Sequence, residues 1–242
     1  MRPITGEHSK ALLPLGNSTI LDQIIDSIPR DIPVIVTCNE AFVDDFEAWF
    51  EKQERPQVQL YREHIGRIEN SLGTIGSLEN LIKEWKLKDD LLVLASDNIL
   101  PGKGSLQPFI DAFNTWNIHI ALEEEYRTEE LRKHGVVKMM GGSRSRVESF
   151  IEKPTEDPFP GMMPHLVSLL CYIFPKRLLP CVARGFVEGM GIPGRKPRGG
   201  DFIQHMVELN EPVTAFRYYS QWIRITSPED YLKEQKRIEG VA

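Results

Sequence analysis

The stretch that decides the fold runs Asp89-Asp90-Leu91-Leu92-Val93-Leu94-Ala95-Ser96-Asp97-Asn98. Its five central residues are apolar at odd and even positions alike, so neither face of a strand is left for water. Such a run predicts a strand covered on both sides, as in the middle of a helix-flanked parallel sheet. Outward from it, short apolar runs and helical stripes alternate in both directions, with no internal repeat. On the N-terminal side, Ile20, Leu21, Ile24, Ile25 and Ile28 form a helical stripe after Asn17 and Ser18, and residues 32–38 read as a buried strand. Phe42, Phe46, Trp49 and Phe50 share a helix face before Pro56, residues 58–61 read as a strand, and Ile75, Leu78, Leu81, Ile82 and Trp85 mark a third helix. On the C-terminal side, Leu106, Phe109, Ile110 and Phe113 predict a helix and residues 119–122 a strand.

Beyond Glu125 the rhythm shifts. Residues 135–139 and 146–151 flank Gly141-Gly142-Ser143, which predicts a hairpin. Residues 166–174 return to a buried strand, whereas 185–200, rich in glycine and basic residues, read as a long mobile loop. A helix over 201–209 turns Phe202, Ile203, Met206 and Val207 inward. Ser227-Pro228-Glu229-Asp230 opens a last helix with an N-cap serine, a proline at its first position and an acidic first turn. The expectation is one α/β domain over residues 1–242.

Composition narrows the function. Hydrophobic residues at 41% and charged residues at 26% exclude a disordered chain. With 29 basic and 35 acidic residues the net charge is −6, a field that opposes nucleic acid and anionic membranes as partners. Phosphate chemistry would have to rest on local basic residues. No apolar stretch approaches the roughly 20 residues of a membrane span, and Met1-Arg2-Pro3 does not open a secretory leader. Cys38, Cys171 and Cys181 contain no CxxC pair and cannot all pair with one another, which suits the reducing cytoplasm.

Several motif matches fail on physical grounds. Gly189-Met190-Gly191-Ile192-Pro193-Gly194 has dinucleotide-loop spacing, but Pro193 and Pro197 oppose the helix whose N-terminus would take the pyrophosphate. Gly102-Lys103-Gly104-Ser105 imitates the end of a phosphate loop with Gly104 where a hydroxyl must stand, so it reads as a plain loop. The six histidines are scattered without zinc spacing, and no G-x-S-x-G elbow is present. Three features remain. Asp97 ends the apolar run, where open α/β sheets place ligands; with Asn98 it reads either as an Asx turn or as a carboxylate for magnesium on nucleotide phosphates. Glu152-Lys153-Pro154 sets an ammonium at a strand end, either a solvated lysine or a phosphate contact, and Lys10 precedes the apolar run 11–15 with the same two readings.

Taken in order, the segments resemble the sugar-nucleotidyltransferase family over nearly the whole chain. Arg2-Pro3-Ile4-Thr5 with Ser9-Lys10-Ala11-Leu12-Leu13-Pro14-Leu15 is similar to the family's R-P-x-T-x-x-x-x-K-x-L-L-P opening. Leu72-Gly73-Thr74-Ile75-Gly76-Ser77 resembles its L-G-T-A-G-A, residues 91–98 its metal-aspartate strand, and His134-Gly135-Val136-Val137 its Y-G-V-V. Phe150-Ile151-Glu152-Lys153-Pro154 resembles x-x-E-K-P, and residues 222–231 echo its closing W-x-D-x-G-T-P-E-D-Y. The resemblance implies a three-layer α/β/α Rossmann-like fold with a mixed, mostly parallel central sheet and a small β-hairpin extension. Its nucleotide-binding part would span about 1–125 and its sugar-phosphate part about 126–242.

It further implies an enzyme that joins a nucleoside triphosphate to a sugar 1-phosphate, or a related phosphorylated small molecule, giving an NDP-sugar and pyrophosphate with magnesium as cofactor. Lys10 would contact the triphosphate, Gly73 and Thr74 the base, and Asp97 the metal, while Gly135, Glu152 and Lys153 would face the sugar phosphate. Lys10 and Lys153 carry the catalytic charge; self-association into a homo-oligomer stays open. The chain also departs from the pattern. It starts inside the opening motif, so the expectation is a sheet short of its first strand and phosphate loop by about 15 to 20 residues. Arg224 stands where the second metal carboxylate belongs, and a guanidinium binds phosphate rather than magnesium. Asp201 reads as a helix cap or a substitute acid, and Ser168-Leu169-Leu170-Cys171-Tyr172 replaces N-A-G-x-Y, which implies an altered sugar pocket. Two other readings follow: a catalytically degenerate, nucleotide-sugar-binding or regulatory relative, and a glycosyltransferase of related fold.

Overall fold

A computed structural model of the chain describes residues 8–64, 72–182, 198–219 and 222–240. In chain order its strands and helices are β1 (Pro14–Leu15), β2 (Ser18–Thr19), α1 (Ile20–Ser27), β3 (Val34–Asn39), α2 (Val43–Phe50), β4 (Val58–Glu63) and α3 (Gly73–Trp85). They continue as β5 (Leu91–Leu94), β6 (Asn98–Ile99), α4 (Gln107–Asp111), β7 (Ile118–Glu125), β8 (Gly135–Met139), β9 (Val147–Glu152) and β10 (His165–Phe174). After α5 (Leu179–Val182) come α6 (Gly199–Glu208), β11 (Val213–Arg217), β12 (Ile223–Arg224) and α7 (Pro228–Glu239). The chain forms two compact units, one from Met1–Ser71, Ser96–Ile110 and Gln221–Ala242, the other from Leu72–Ala95 and Asp111–Ser220. No described helix is long and apolar enough to cross a membrane.

In the first unit, β3 and β4 pair in parallel and carry α1 and α2 around a core of Leu21, Ile25, Val36, Phe46, Trp49 and Val58. Thr19 caps α1: its hydroxyl accepts from the Asp22 N–H (3.1 Å) while Asp22 Oδ2 accepts from the Thr19 N–H (2.8 Å). The free oxygen of Asp22 accepts from Trp49 Nε1 (2.9 Å) and Gln53 Nε2 (2.8 Å), so one carboxylate starts α1 and pins the α2 region to it. At the other end of the chain, Ser227 caps α7 with Pro228 in its first turn, as the sequence predicts. Burial would raise the Asp230 carboxyl, but the hydrogen bonds from Thr226 and Ser227 outweigh it and hold the group below its usual range.

The second unit holds a six-stranded mixed sheet ordered β11-β7-β10-β8-β9, with β5 also on β10. Its core gathers Ile75, Ile120, Leu122, Val137, Phe150, Phe174, Phe202 and Ile203. The expected hairpin is present: β8 and β9 pair antiparallel, Gly135 facing Glu152. The mixed sheet agrees with expectation, but its pairing is more antiparallel than a mostly parallel sheet: β10 runs antiparallel to β5, β7 and β8, and among the described residues of this sheet only β7 and β11 pair in parallel. The organising strand is therefore β10, buried at nine of its ten positions. By contrast, all four residues of β5 are only half-buried, and among the described residues β10 is its one strand partner, which corrects the reading of that run as fully covered. The expected strand 119–122 extends through Glu123–Glu125, because β10 begins early enough to pair His165 with Glu125. Most of the expected 185–200 loop, including the glycine-rich 189–194 motif, lies outside the described residues. Its last two residues, Gly199 and Gly200, are helical and open α6.

Candidate functional site

In the first unit, Lys10 opens a short 3-10 turn, Lys10–Leu12, whose Ala11 is buried. That anchor aims the ammonium at Asp97: Nζ donates to Oδ2 at 2.6 Å across 87 residues of sequence, with both side chains about a quarter exposed. Asp97 stands between β5 and β6, and its carbonyl accepts from the Ile225 N–H at 2.9 Å. That bond continues the antiparallel pairing of β6 with β12, where Arg224 stands opposite Asn98. The Lys10–Asp97 pair is formally neutral, and Arg224 adds a positive charge on the paired strand. The donor set also limits a metal: among the described residues no three His, Cys, Asp or Glu side chains come together as ligands. Asp97 fits magnesium as a single protein carboxylate, the remaining positions coming from phosphate and water, and Arg224 offers nothing to a second ion. The other expected members of the opening motif, residues 2–5, lie outside the described residues.

In the second unit, Gly73, at φ +74°, and Thr74 open α3, which has no side-chain cap hydrogen bond and is anchored by the buried Ile75. Gly135, Glu152 and Lys153 come together elsewhere in the same unit. Gly135 lies between Glu152 on β9 and Ser168 on β10. A Cβ there would overlap the Phe150 ring, with Cε1 at only 2.5 Å, so any side chain at this sheet position must displace that ring. Lys153 leaves β9 with φ +48° and donates its N–H to the His134 carbonyl at 2.9 Å, turning the chain at the strand end.

Around Glu152 the structure shows residues that sequence reasoning missed. Gln204 Oε1 on α6 accepts from the Glu152 N–H at 3.0 Å. The first turn of α6 meets the carboxylate end: a Cβ on Gly200 would overlap Oε2 and lie 2.5 Å from the carboxyl carbon. Asp201 caps α6, accepting from the Arg198 N–H at 2.9 Å, the first of its two readings. Beneath them, the Ser168 hydroxyl donates to the Tyr172 hydroxyl at 3.0 Å, and burial, with Glu152 and Asp201 nearby, drives the Tyr172 phenol far above its ordinary value. Between these two residues β10 bulges, and Leu170 takes φ +52°, a conformation costly for a branched side chain. Gly-Gly before an aspartate was the available signal for the α6 start; nothing local marked Leu170.

Known proteins place the chain as a whole. The sequence model described as Nucleotidyl transferase matches residues 1–240. A Sulfolobus acidocaldarius protein provisionally named a mannose-1-phosphate guanyltransferase is 23% identical over 235 residues, 96% of this chain but 58% of that protein. The chain thus spans little more than half of that relative. Among solved structures, an apo UDP-glucose pyrophosphorylase superposes with a TM-score of 0.78 at 14% identity, covering 99% of this chain and 93% of that one. An inositol-1-phosphate CTP transferase from T. maritima gives 0.72 at 14% identity, covering 100% and 92%. Those identities carry the fold alone. The match of the family over 240 residues settles the assignment, and the chain belongs to the nucleotidyl transferase family.

Proposed function

We propose that the chain joins a nucleoside triphosphate to a sugar 1-phosphate, or a closely related phosphorylated small molecule, and releases pyrophosphate. The observation that carries this reading is the Lys10–Asp97 pair just before β6, with Arg224 on β12, the strand paired with β6. An oxygen of the sugar phosphate attacks the α-phosphorus, forming the new P–O bond. The bond to the bridging oxygen breaks, and pyrophosphate leaves with the electron pair. Both reactants are anions, so the protein's task is to neutralise and align them without a covalent intermediate. Lys10 and Arg224 attract the triphosphate, and the first turn of α3 at Gly73 and Thr74 receives the nucleotide base. Glu152 accepts from substrate hydroxyls and Lys153 balances the sugar phosphate, with Gly135 leaving room. Magnesium bound with the nucleotide would spread the phosphate charge, and Asp97 is the carboxylate that would hold it. The three cysteines are free thiols, which supports a cytoplasmic setting.

A second reading has an observation of its own. Arg224 in place of an acid, and Lys10 already paired with Asp97, also suit a subunit that binds nucleotide sugars without turning them over. Isothermal titration with ATP, CTP, GTP, UTP and dTTP, run beside a pyrophosphate-release assay with glucose 1-phosphate and mannose 1-phosphate, separates the two. Pyrophosphate released only when both reactants are present establishes the transferase. Nucleotide-sugar binding with no release establishes the binding subunit.

A further inference from the structure

The first turn of α6 places two bare glycines where side chains from two strands converge. Gly199 lies against Tyr172 and Leu170 of β10: a Cβ there would be 3.2 Å from the Tyr172 ring and 3.5 Å from Leu170 Cδ1. Gly200 lies against Glu152 of β9, whose carboxylate occupies the space a Cβ would take. Glu152 is held at its backbone as well, through Gln204 one turn along the same helix. The carboxylate thus rests at the positive end of a ten-residue helix, where the dipole and the first-turn N–H groups favour an anion. The obstacle is asymmetric. The atoms that collide with a Gly200 methyl are the far end of a flexible side chain, so the fold can absorb the methyl by swinging Glu152 away. The carboxylate, not the backbone, would move.

We propose that Gly200 is a positioning residue for Glu152: its missing side chain seats the carboxylate against the first turn of α6 and thereby sets which hydroxyls of the phosphorylated substrate Glu152 can reach. This rests on the role given to Glu152 above. Gly200 itself touches no substrate. Its effect passes through one carboxylate, which makes the two positions energetically coupled in a way that a general packing defect would not be.

The test is a double-mutant cycle of Gly200→Ala and Glu152→Ala in the full chain, read as KM for glucose 1-phosphate and mannose 1-phosphate, kcat, and thermal midpoint. Gly200→Ala alone should raise KM about tenfold with a smaller change in kcat, the scale of a displaced binding group. Added to Glu152→Ala it should change KM no further, and Glu152→Asp/Gly200→Ala, which restores a methylene of space, should recover part of the loss. Additive KM changes, or no recovery in the aspartate variant, overturn the proposal. If Gly200→Ala does not fold, the double alanine variant must fold; otherwise the coupling is refuted. An unchanged KM in Glu152→Ala is a different result, refuting the substrate role of Glu152 itself.

Discussion

The cluster at Asp97 and the cluster at Glu152 are built from opposite materials. The first is an arrangement of charge: an ammonium 2.6 Å from a carboxylate, with a guanidinium one strand away. The second is an arrangement of missing atoms, in which Gly135 and Gly200 leave space that Phe150 and Glu152 fill. Charge acts at a distance and tolerates small displacement, whereas a cradle of bare backbone fails when one methyl is added. Substitutions in the first should therefore change rate with little effect on stability, and substitutions in the second should change geometry or stability first.

The largest effect that would sharpen this contrast is on rate. Asp97→Ala should lower pyrophosphate release by about 10²- to 10³-fold, the usual cost of an oriented electrostatic group, while moving the denaturant midpoint little. A wild-type rate would break the assignment. Next comes a pH effect in the second unit. Burial pushes the imidazole of His119, on β7, down from 6.5 to about 4. Between those values the unfolded chain takes a proton that the folded chain refuses, so stability is complete above pH 6.5 and is lost as the pH falls toward 4. The loss is on the order of 3 kcal/mol. Thermal midpoints across that range should fall in the wild type and flatten in His119→Gln.

Gly135→Ala should follow, destabilising by about 2 to 3 kcal/mol because the colliding Phe150 ring is buried and cannot swing out as the Glu152 carboxylate can. Denaturant unfolding checks it, and a loss below about 0.5 kcal/mol, the level of an ordinary surface change, would show that the cradle yields. The smallest effect concerns left-handed backbone. Lys86, exposed at the C-cap of α3 with φ +53°, should gain about 1 kcal/mol on replacement by glycine. Leu170→Gly, at nearly the same φ, should gain less because its side chain also packs against the core. An equal gain at both sites would mean that the Leu170 side chain contributes nothing there.

Much of this was legible in the residues. Helical stripes placed α1, α3 and α6 to within a few positions; Ser227-Pro228 announced α7; and the Gly141-Gly142 turn announced the β8–β9 pair. The motifs at Lys10, Gly73, Asp97, Gly135 and Glu152 were visible as an ordered series. What misled was the apolar run 91–95. Its composition promised full cover, yet in the fold it pairs with β10 and remains half-buried.

Local rules suffice for such features because caps, helical stripes and turns are decided within a few residues, where backbone geometry and nearby side chains compete. They also sufficed for the order of the chemistry-bearing motifs, and hence for the family. Three results needed the folded chain: the Lys10–Asp97 pair across 87 positions, the antiparallel strand β10 as the hub of the sheet, and the seat of Glu152 on Gly200. Each depends on which distant segments meet and in what register. A glycine written in a sequence says only that a side chain is absent; the partner that uses the space is chosen when distant strands and helices pack.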